Sequence, residues 1–243
     1  MILVFSTARR LHLFKKTLDS LIQFNPDLID IIDEIYILDD RSSWDERDKM
    51  EKLLQEGFYT DRVTTITFNS NEEFAWVDKM NFLSKLSDKD NYILFIEDDW
   101  ESIKPMNLQL HINFLDKNKN IDLITFNGNY KVQNTSNKDK WDYVTSYNDI
   151  YYSNPFPNGF RNIIAEDNGI FGWVGVKINN FSLNPSLYRS NIFQVKFPYN
   201  TNFEVEFANA GKLKQLFVRN GMFLHRGNEE TLHDRIKYKD VQI

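Results

Sequence analysis

With 243 residues, 42% of them hydrophobic and 15% aromatic, the chain is long enough for one large domain with a substantial core. Its 29 Lys and Arg against 35 Asp and Glu give a formal charge of −6, which argues against a broad basic face for nucleic acid. No run of about 18 apolar residues marks a membrane span, and the absence of cysteine excludes disulfides and thiolate chemistry and fits a reducing, cytoplasmic setting.

The opening MILVFSTARR has an apolar run of only about five residues with the positive charges behind it, unlike a secretory signal. Ile2 to Ser6 reads as a buried strand. Leu11 to Phe24 carries apolar residues at 11, 14, 18, 21 and 22, a helical period. Ile35 to Asp39 is the second strand. Ser43-Trp44-Asp45-Glu46 fits a capping box, predicting a helix to about Glu56 with Gly57 behind it. Val63 to Phe68 is a third strand, Phe74 to Leu86 a third helix and Tyr92 to Glu97 a fourth strand. Pro105 suits the first position of a helix to about Asp116, and Ile121 to Phe126 is a fifth strand.

This alternation through about residue 126 predicts an α/β fold with a mostly parallel central sheet flanked by helices. Gly128 to Gly159, rich in Asn, Tyr, Ser and Pro, reads as an irregular, substrate-facing excursion. Regularity returns with Ile170 to Ile178. A short helix near Pro185 to Ser190, another from Asn202 to Lys212 and a late strand over Gln215 to Asn220 follow. No repeat or linker divides the chain, so one domain in two parts is expected, 1–126 and 127–227, with a charged tail at 228–243.

Ligands bind beyond the carboxyl ends of strands in such sheets. Three strand ends are polar: Ser6-Thr7-Ala8-Arg9-Arg10, Asp39-Asp40-Arg41-Ser42 and Glu97-Asp98-Asp99. Three adjacent carboxylates repel and are driven towards protonation unless a cation is present, and oxygen ligands of this kind suit Mg2+ or Mn2+. A solvated acidic turn is the alternative. Asp39 and Asp40 accept hydrogen bonds only, suiting a base N–H or a ribose hydroxyl, or simply a capped turn. Arg9, Arg10 and Lys79 are candidates for a phosphate clamp or for solvated surface. His225, closing an apolar run, is a candidate metal ligand or a structural hydrogen-bonder. Glu204 and Glu206 stand two apart on a helix, so only one faces a cleft, where it suits a general base. The Walker-type phosphate loop, G-x-G-x-x-G after the first strand and G-x-S-x-G are all absent.

Together these motifs resemble glycosyltransferases of the GT-A fold, closest in style to the family 2 enzymes. Thr7 and Arg10 stand at matching places of the first turn, with Arg9 where the family often has Asn. Asp39-Asp40-Arg41-Ser42 matches its Asp-Asp-x-Ser. Lys79-Met80-Asn81 keeps the Asn of an Arg-Asn pair but not the Arg. Glu97-Asp98-Asp99 stands for the DxD metal motif, with Glu in first place. Phe203-Glu204-Val205-Glu206-Phe207 can be laid on the acidic helix that carries the catalytic base, placing Glu204 there. Gly172-Trp173 is similar to the aromatic segment on the acceptor side.

The resemblance implies sugar transfer, with inversion, from a UDP-, GDP- or dTDP-sugar to a hydroxyl of a glycan acceptor. Asp39 would read the base, and Asp40 or Thr7 the ribose or base edge. Arg9, Arg10, Lys79, Asn81 and Asp98 would line the donor. Glu97, Asp99 and His225 would hold Mn2+ or Mg2+. Residues 1–126 would be the nucleotide-sugar half and 127–227 the acceptor half. A sugar-nucleotide pyrophosphorylase, which wants a Gly-rich loop after the first strand, and a non-catalytic nucleotide- or glycan-binding module are the alternatives.

Overall fold

The computed structural model describes residues 1–68, 75–87, 91–126, 160–161, 173–178, 181, 183, 185–199, 203–218 and 222–226. The expected excursion at 128–159, Gly172 and the tail at 228–243 lie outside them. The described chain runs β1 (Ile2–Thr7), α1 (Leu11–Phe24), α2 (Leu28–Ile31), β2 (Glu34–Asp40), α3 (Trp44–Phe58), β3 (Val63–Phe68), α4 (Ala75–Phe82), β4 (Tyr92–Glu97), β5 (Trp100–Ser102), α5 (Leu108–Lys117) and β6 (Leu123–Thr125). It continues with β7 (Phe160–Arg161), β8 (Trp173–Ile178), β9 (Ser186–Arg189), α6 (Phe203–Gly211), β10 (Lys214–Val218) and β11 (Phe223–His225).

Nine strands form one sheet in the order β3-β2-β1-β4-β9-β6-β10-β8-β7, and β11 pairs with β5 apart from it. Only β9 and β8 run against the other seven, so the sheet is mostly parallel in direction. The continuous apolar runs of β1 and β4 follow from cover on both faces. Leu3, Phe5, Leu94 and Ile96 pack under α1, α3 and α5 against Phe14, Leu18, Met50, Leu54 and Leu115. Ile2, Val4, Ile93 and Phe95 take the opposite face, with Val77, Met80, Phe193, Phe197 and Phe207. No helix among the described residues is long and apolar enough to cross a membrane.

The capping box forms as expected. Glu46 N–H donates to Ser43 Oγ (3.2 Å), and Ser43 N–H donates to the Glu46 carboxylate (2.9 Å). The helix does not stop before Gly57; it runs through it to Phe58 and ends on Tyr59, left-handed at φ 49°. Gly57 serves close approach instead, since a Cβ there would lie 2.5 Å from Ile22 Cδ1 on α1. Pro105 does not begin α5. Met106 N–H is held by Asn25 Oδ1 (2.6 Å) and Ile103 N–H by Met222 O (2.8 Å), which keeps the segment extended until Asn107.

The short helix expected near Pro185 to Ser190 is instead strand β9, followed by a 3-10 turn at Ser190–Gln194. Its alternation sends Tyr188 and Leu187 to opposite clusters, and β4 and β6 supply antiparallel partners on either side.

Candidate active site

The parallel register brings three polar strand ends to one edge. Thr7 lies opposite Asp39, and Ser6 opposite Glu97. Beyond β1 and β2 the chain turns through left-handed residues, Arg9 (φ 55°) and Arg41 (φ 60°), an uncommon conformation for side chains of this size. Arg9 N–H donates to Ser42 Oγ (2.9 Å) and Arg9 Nε to Arg41 O (3.1 Å), so the two turns clasp each other. Ser42 N–H also donates to Asp39 Oδ2 (3.1 Å). Burial pushes the Asp39 carboxyl up and the bonds from Ser42 oppose it. Asp39 Oδ1 is buried with no hydrogen-bond partner among the described residues.

The acid triplet divides its work. Asp98 is fully buried and accepts from Thr7 Oγ1 (2.8 Å), Ala8 N–H (3.2 Å), Arg10 Nε (3.2 Å) and Arg10 Nη2. Burial pushes its pKa up, and Arg10 with the bonds from Thr7 and Ala8 opposes the rise. Arg10 Nη1 donates to Asp99 Oδ2 (2.7 Å), and His225 Nε2 lies 3.4 Å from the same oxygen. Burial raises the Asp99 carboxyl, but His225 and Arg10 outweigh it and hold it below the usual range. Asp99 Oδ1 has no partner among the described residues. Glu97 accepts from Trp100 Nε1 (3.0 Å), and burial with the charge of Asp99 pushes its carboxyl up to about 8.

The triplet's basic neighbours, invisible beside it in sequence, come from across the sheet. Arg10 arrives from the β1–α1 junction. Lys79 arrives from α4, almost wholly buried, donating to Thr7 O (2.8 Å) and Ser6 Oγ (3.2 Å) with its Nζ 4.9 Å from the Trp76 ring. Burial lowers the Lys79 pKa against the raising effect of Asp40, Asp98, Asp39 and Glu97. Both cations therefore brace the strand ends rather than standing open as phosphate clamps.

His225 is delivered by β11, which pairs with β5 so that His225 faces Trp100, their rings 4.7 Å apart. Arg226 N–H donates to Asp99 O (2.7 Å), and Arg226 Nε to Glu101 (2.6 Å). Among the described residues no group of three His, Asp or Glu forms a ready cage for a metal. What is assembled is Asp99 with His225, plus one unpaired carboxylate oxygen. That oxygen and nitrogen set suits Mn2+ or Mg2+, ions commonly held by one or two carboxylates with substrate phosphates completing the shell.

The remaining expected residues are placed as follows. Asn81 spans to the loop before α6, accepting from Phe197 N–H (2.7 Å), so its amide carries backbone rather than open space. Asp40 is half-buried, its Oδ1 3.6 Å from Arg41 Nε. On α6, Glu204 shares a face with buried Phe207 and Ala208, while Val205 and Glu206 are exposed. Glu204 accepts from Leu183 N–H (3.0 Å), and burial pushes its carboxyl up. Trp173 begins β8, and its side chain lies outside the described residues.

Sequence reasoning missed Trp100 and Thr17, whose hydroxyl donates to Asp98 O (2.9 Å), and named Ser42 only as the close of Asp-Asp-x-Ser. Only Trp100, directly after the triplet, carried a local signal.

Sheet order, strand directions and the polar edge define the GT-A glycosyltransferase fold. Solved structures agree: S. aureus TarS superposes with a TM-score of 0.56 at 13% identity, over 94% of this chain and 37% of its own. The mannosyltransferase PcManGT from Pyrobaculum calidifontis, solved with GDP-Man and Mn2+, gives 0.53 at 9% identity, over 88% and 53%. An active-site mutant of LgtC gives 0.51 at 13%, over 89% and 72%. The chain thus spans little more than a third of TarS and about half of PcManGT. No family model and no curated protein sequence matches it.

Proposed function

We propose that the protein is a glycosyltransferase that moves a sugar from a nucleoside diphosphate sugar to an acceptor hydroxyl with the help of a divalent metal. One observation carries this reading: Asp39 and Asp99 each keep a buried carboxylate oxygen without a hydrogen-bond partner among the described residues, on the ligand edge of a GT-A sheet. An unpaired buried acceptor costs about 1–3 kcal/mol, which a ligand donor or cation would recover.

In this reading Asp39 accepts from the base N–H and Asp40 from the ribose. Asp99 and His225 hold Mn2+ or Mg2+, with Glu97 beside them; the metal supplies neutralising charge to the departing diphosphate. Asp98, Thr7, Arg10, Lys79 and Asn81 shape the site without touching the donor, and Arg9 fixes the turn above Asp39. Glu204, its pKa raised by burial and its carboxylate oriented by Leu183 N–H, takes the acceptor proton. Attack then comes from the face opposite the leaving group, with inversion. The glycan acceptor, the Trp173 side of the cleft, the two-part division at 126 and a cytoplasmic setting belong to the same proposal.

Incubation with UDP-, GDP- and dTDP-sugars and MnCl2 tests it. Slow release of free nucleoside diphosphate from one donor, lost in Asp99→Ala, is the expected result. A folded protein that binds nucleotide but releases none from any donor is a binding module, and the transferase reading falls.

A further inference from the structure

The chain itself already offsets part of the acid triplet's charge. Arg10, 6% exposed, spends three guanidinium nitrogens on Asp98 and Asp99, and one of these occupies Asp99 Oδ2. The same oxygen faces His225, which leaves Oδ1 as the carboxylate's only unpaired atom. A divalent ion at Oδ1 shares one carboxylate with a fixed monocation, and the two like charges repel. The described side chains also offer no third ligand to offset this. Additional negative charge has to come with the ion.

We propose that Arg10 is a positioning residue, an internal counter-cation that makes divalent-metal binding conditional on a nucleoside diphosphate. It rests on the metal-dependent reading above. The guanidinium holds Asp98 and Asp99 in place without metal, and it holds the affinity for the bare ion low. The diphosphate supplies the missing negative charge and oxygen ligands, so ion and nucleotide enter as a linked pair. By reciprocity the ion strengthens nucleotide binding by the same factor.

Mn2+ binding is read by electron paramagnetic resonance as loss of the free-ion signal, in the full chain, with and without UDP or GDP. Wild type and Arg10→Lys, which keeps the charge, are expected to bind Mn2+ weakly alone and at least about tenfold more tightly with nucleotide. Arg10→Met is expected to bind Mn2+ alone about tenfold more tightly than wild type, with the nucleotide enhancement reduced. Arg10→Met leaves Asp98 buried and unpaired, so circular dichroism accompanies each titration. If that variant unfolds, Arg10→Met with Asp98→Asn removes both buried charges and still frees Asp99 from its guanidinium, and a smaller tightening in the same direction is expected. Equal Mn2+ affinity in wild type and these variants overturns the inference and leaves the transferase reading standing. Nucleotide binding by every form with no response to Mn2+ overturns both the inference and the metal dependence.

Discussion

Replacing Asp98 and Asp99 in turn separates support from chemistry at two adjacent carboxylates. Asp98→Ala removes an acceptor for two neutral donors, Thr7 Oγ1 and Ala8 N–H, and for two guanidinium nitrogens. Neutral donors contribute about 1 kcal/mol each and the two-pronged guanidinium pair, counted once as a charged interaction, about 1.5–3, so the loss sums to about 3.5–5 kcal/mol. Breaking a buried ion pair typically costs about 3–5 kcal/mol, in agreement. For a chain of this size that lowers Tm by roughly 10 °C. Asp99→Ala removes one guanidinium bond and the long 3.4 Å contact with His225, but also an unpaired buried oxygen and a like charge beside Glu97, for a net cost of about 1–2 kcal/mol. Thermal unfolding by circular dichroism, with Mn2+-dependent nucleotide binding by calorimetry, reads both. Asp98→Ala should lose stability; Asp99→Ala should stay folded and lose metal-dependent binding. Equal Tm for the two variants, or a larger drop for Asp99→Ala, would refute the division of labour.

Burial holds the His111 pKa down at about 4, against about 6.5 unfolded. Between those values the unfolded chain takes up the proton and the folded one does not. Stability therefore falls as pH drops from 6.5 to 4, by about 3 kcal/mol at full extent. His111→Phe should lose less stability than wild type between pH 7 and 4.5 in urea melts, and identical pH slopes would contradict this. Ser43→Ala removes the α3 capping box and should cost about 1 kcal/mol; an unchanged midpoint in urea would deny the cap a role. Glu204→Gln should bind donor normally and turn over about 10²–10⁴ times more slowly. Full transfer activity in that variant would remove Glu204 from the base role.

Strands β1 to β4 and helices α1 and α3 were legible because each is set by local periodicity and caps, with parallel strands buried on both faces. The convergence of Thr7, Asp39 and Glu97 on one edge followed from that alternation alone. Strand β9 was not legible, because Pro185 and the short run after it fit a helix start equally well; pairing with β4 and β6 decides it. The pairing of Arg10 with Asp98 was hidden by a sequence separation of 88. The sequence asked for a cation at Glu97-Asp98-Asp99, and the guanidinium of Arg10 stands against two of the three. That is also why Asp98, the centre of the motif, turns out to hold the frame together.

The β5–β11 ribbon carries a consequence for folding. Its bonds, such as Arg226 to Glu101, join positions 125 residues apart. The β3-β2-β1-β4 half needs only the first 97 residues and short crossovers, so it can pair early during synthesis. His225 can reach Asp99 only once the β11 segment has been made, a contact of long sequence separation. The edge that carries Asp39 and Asp98 is thus available first and the imidazole is the last part fitted, so an immature chain holds the Arg10 clamp before it has the full set of proposed metal ligands.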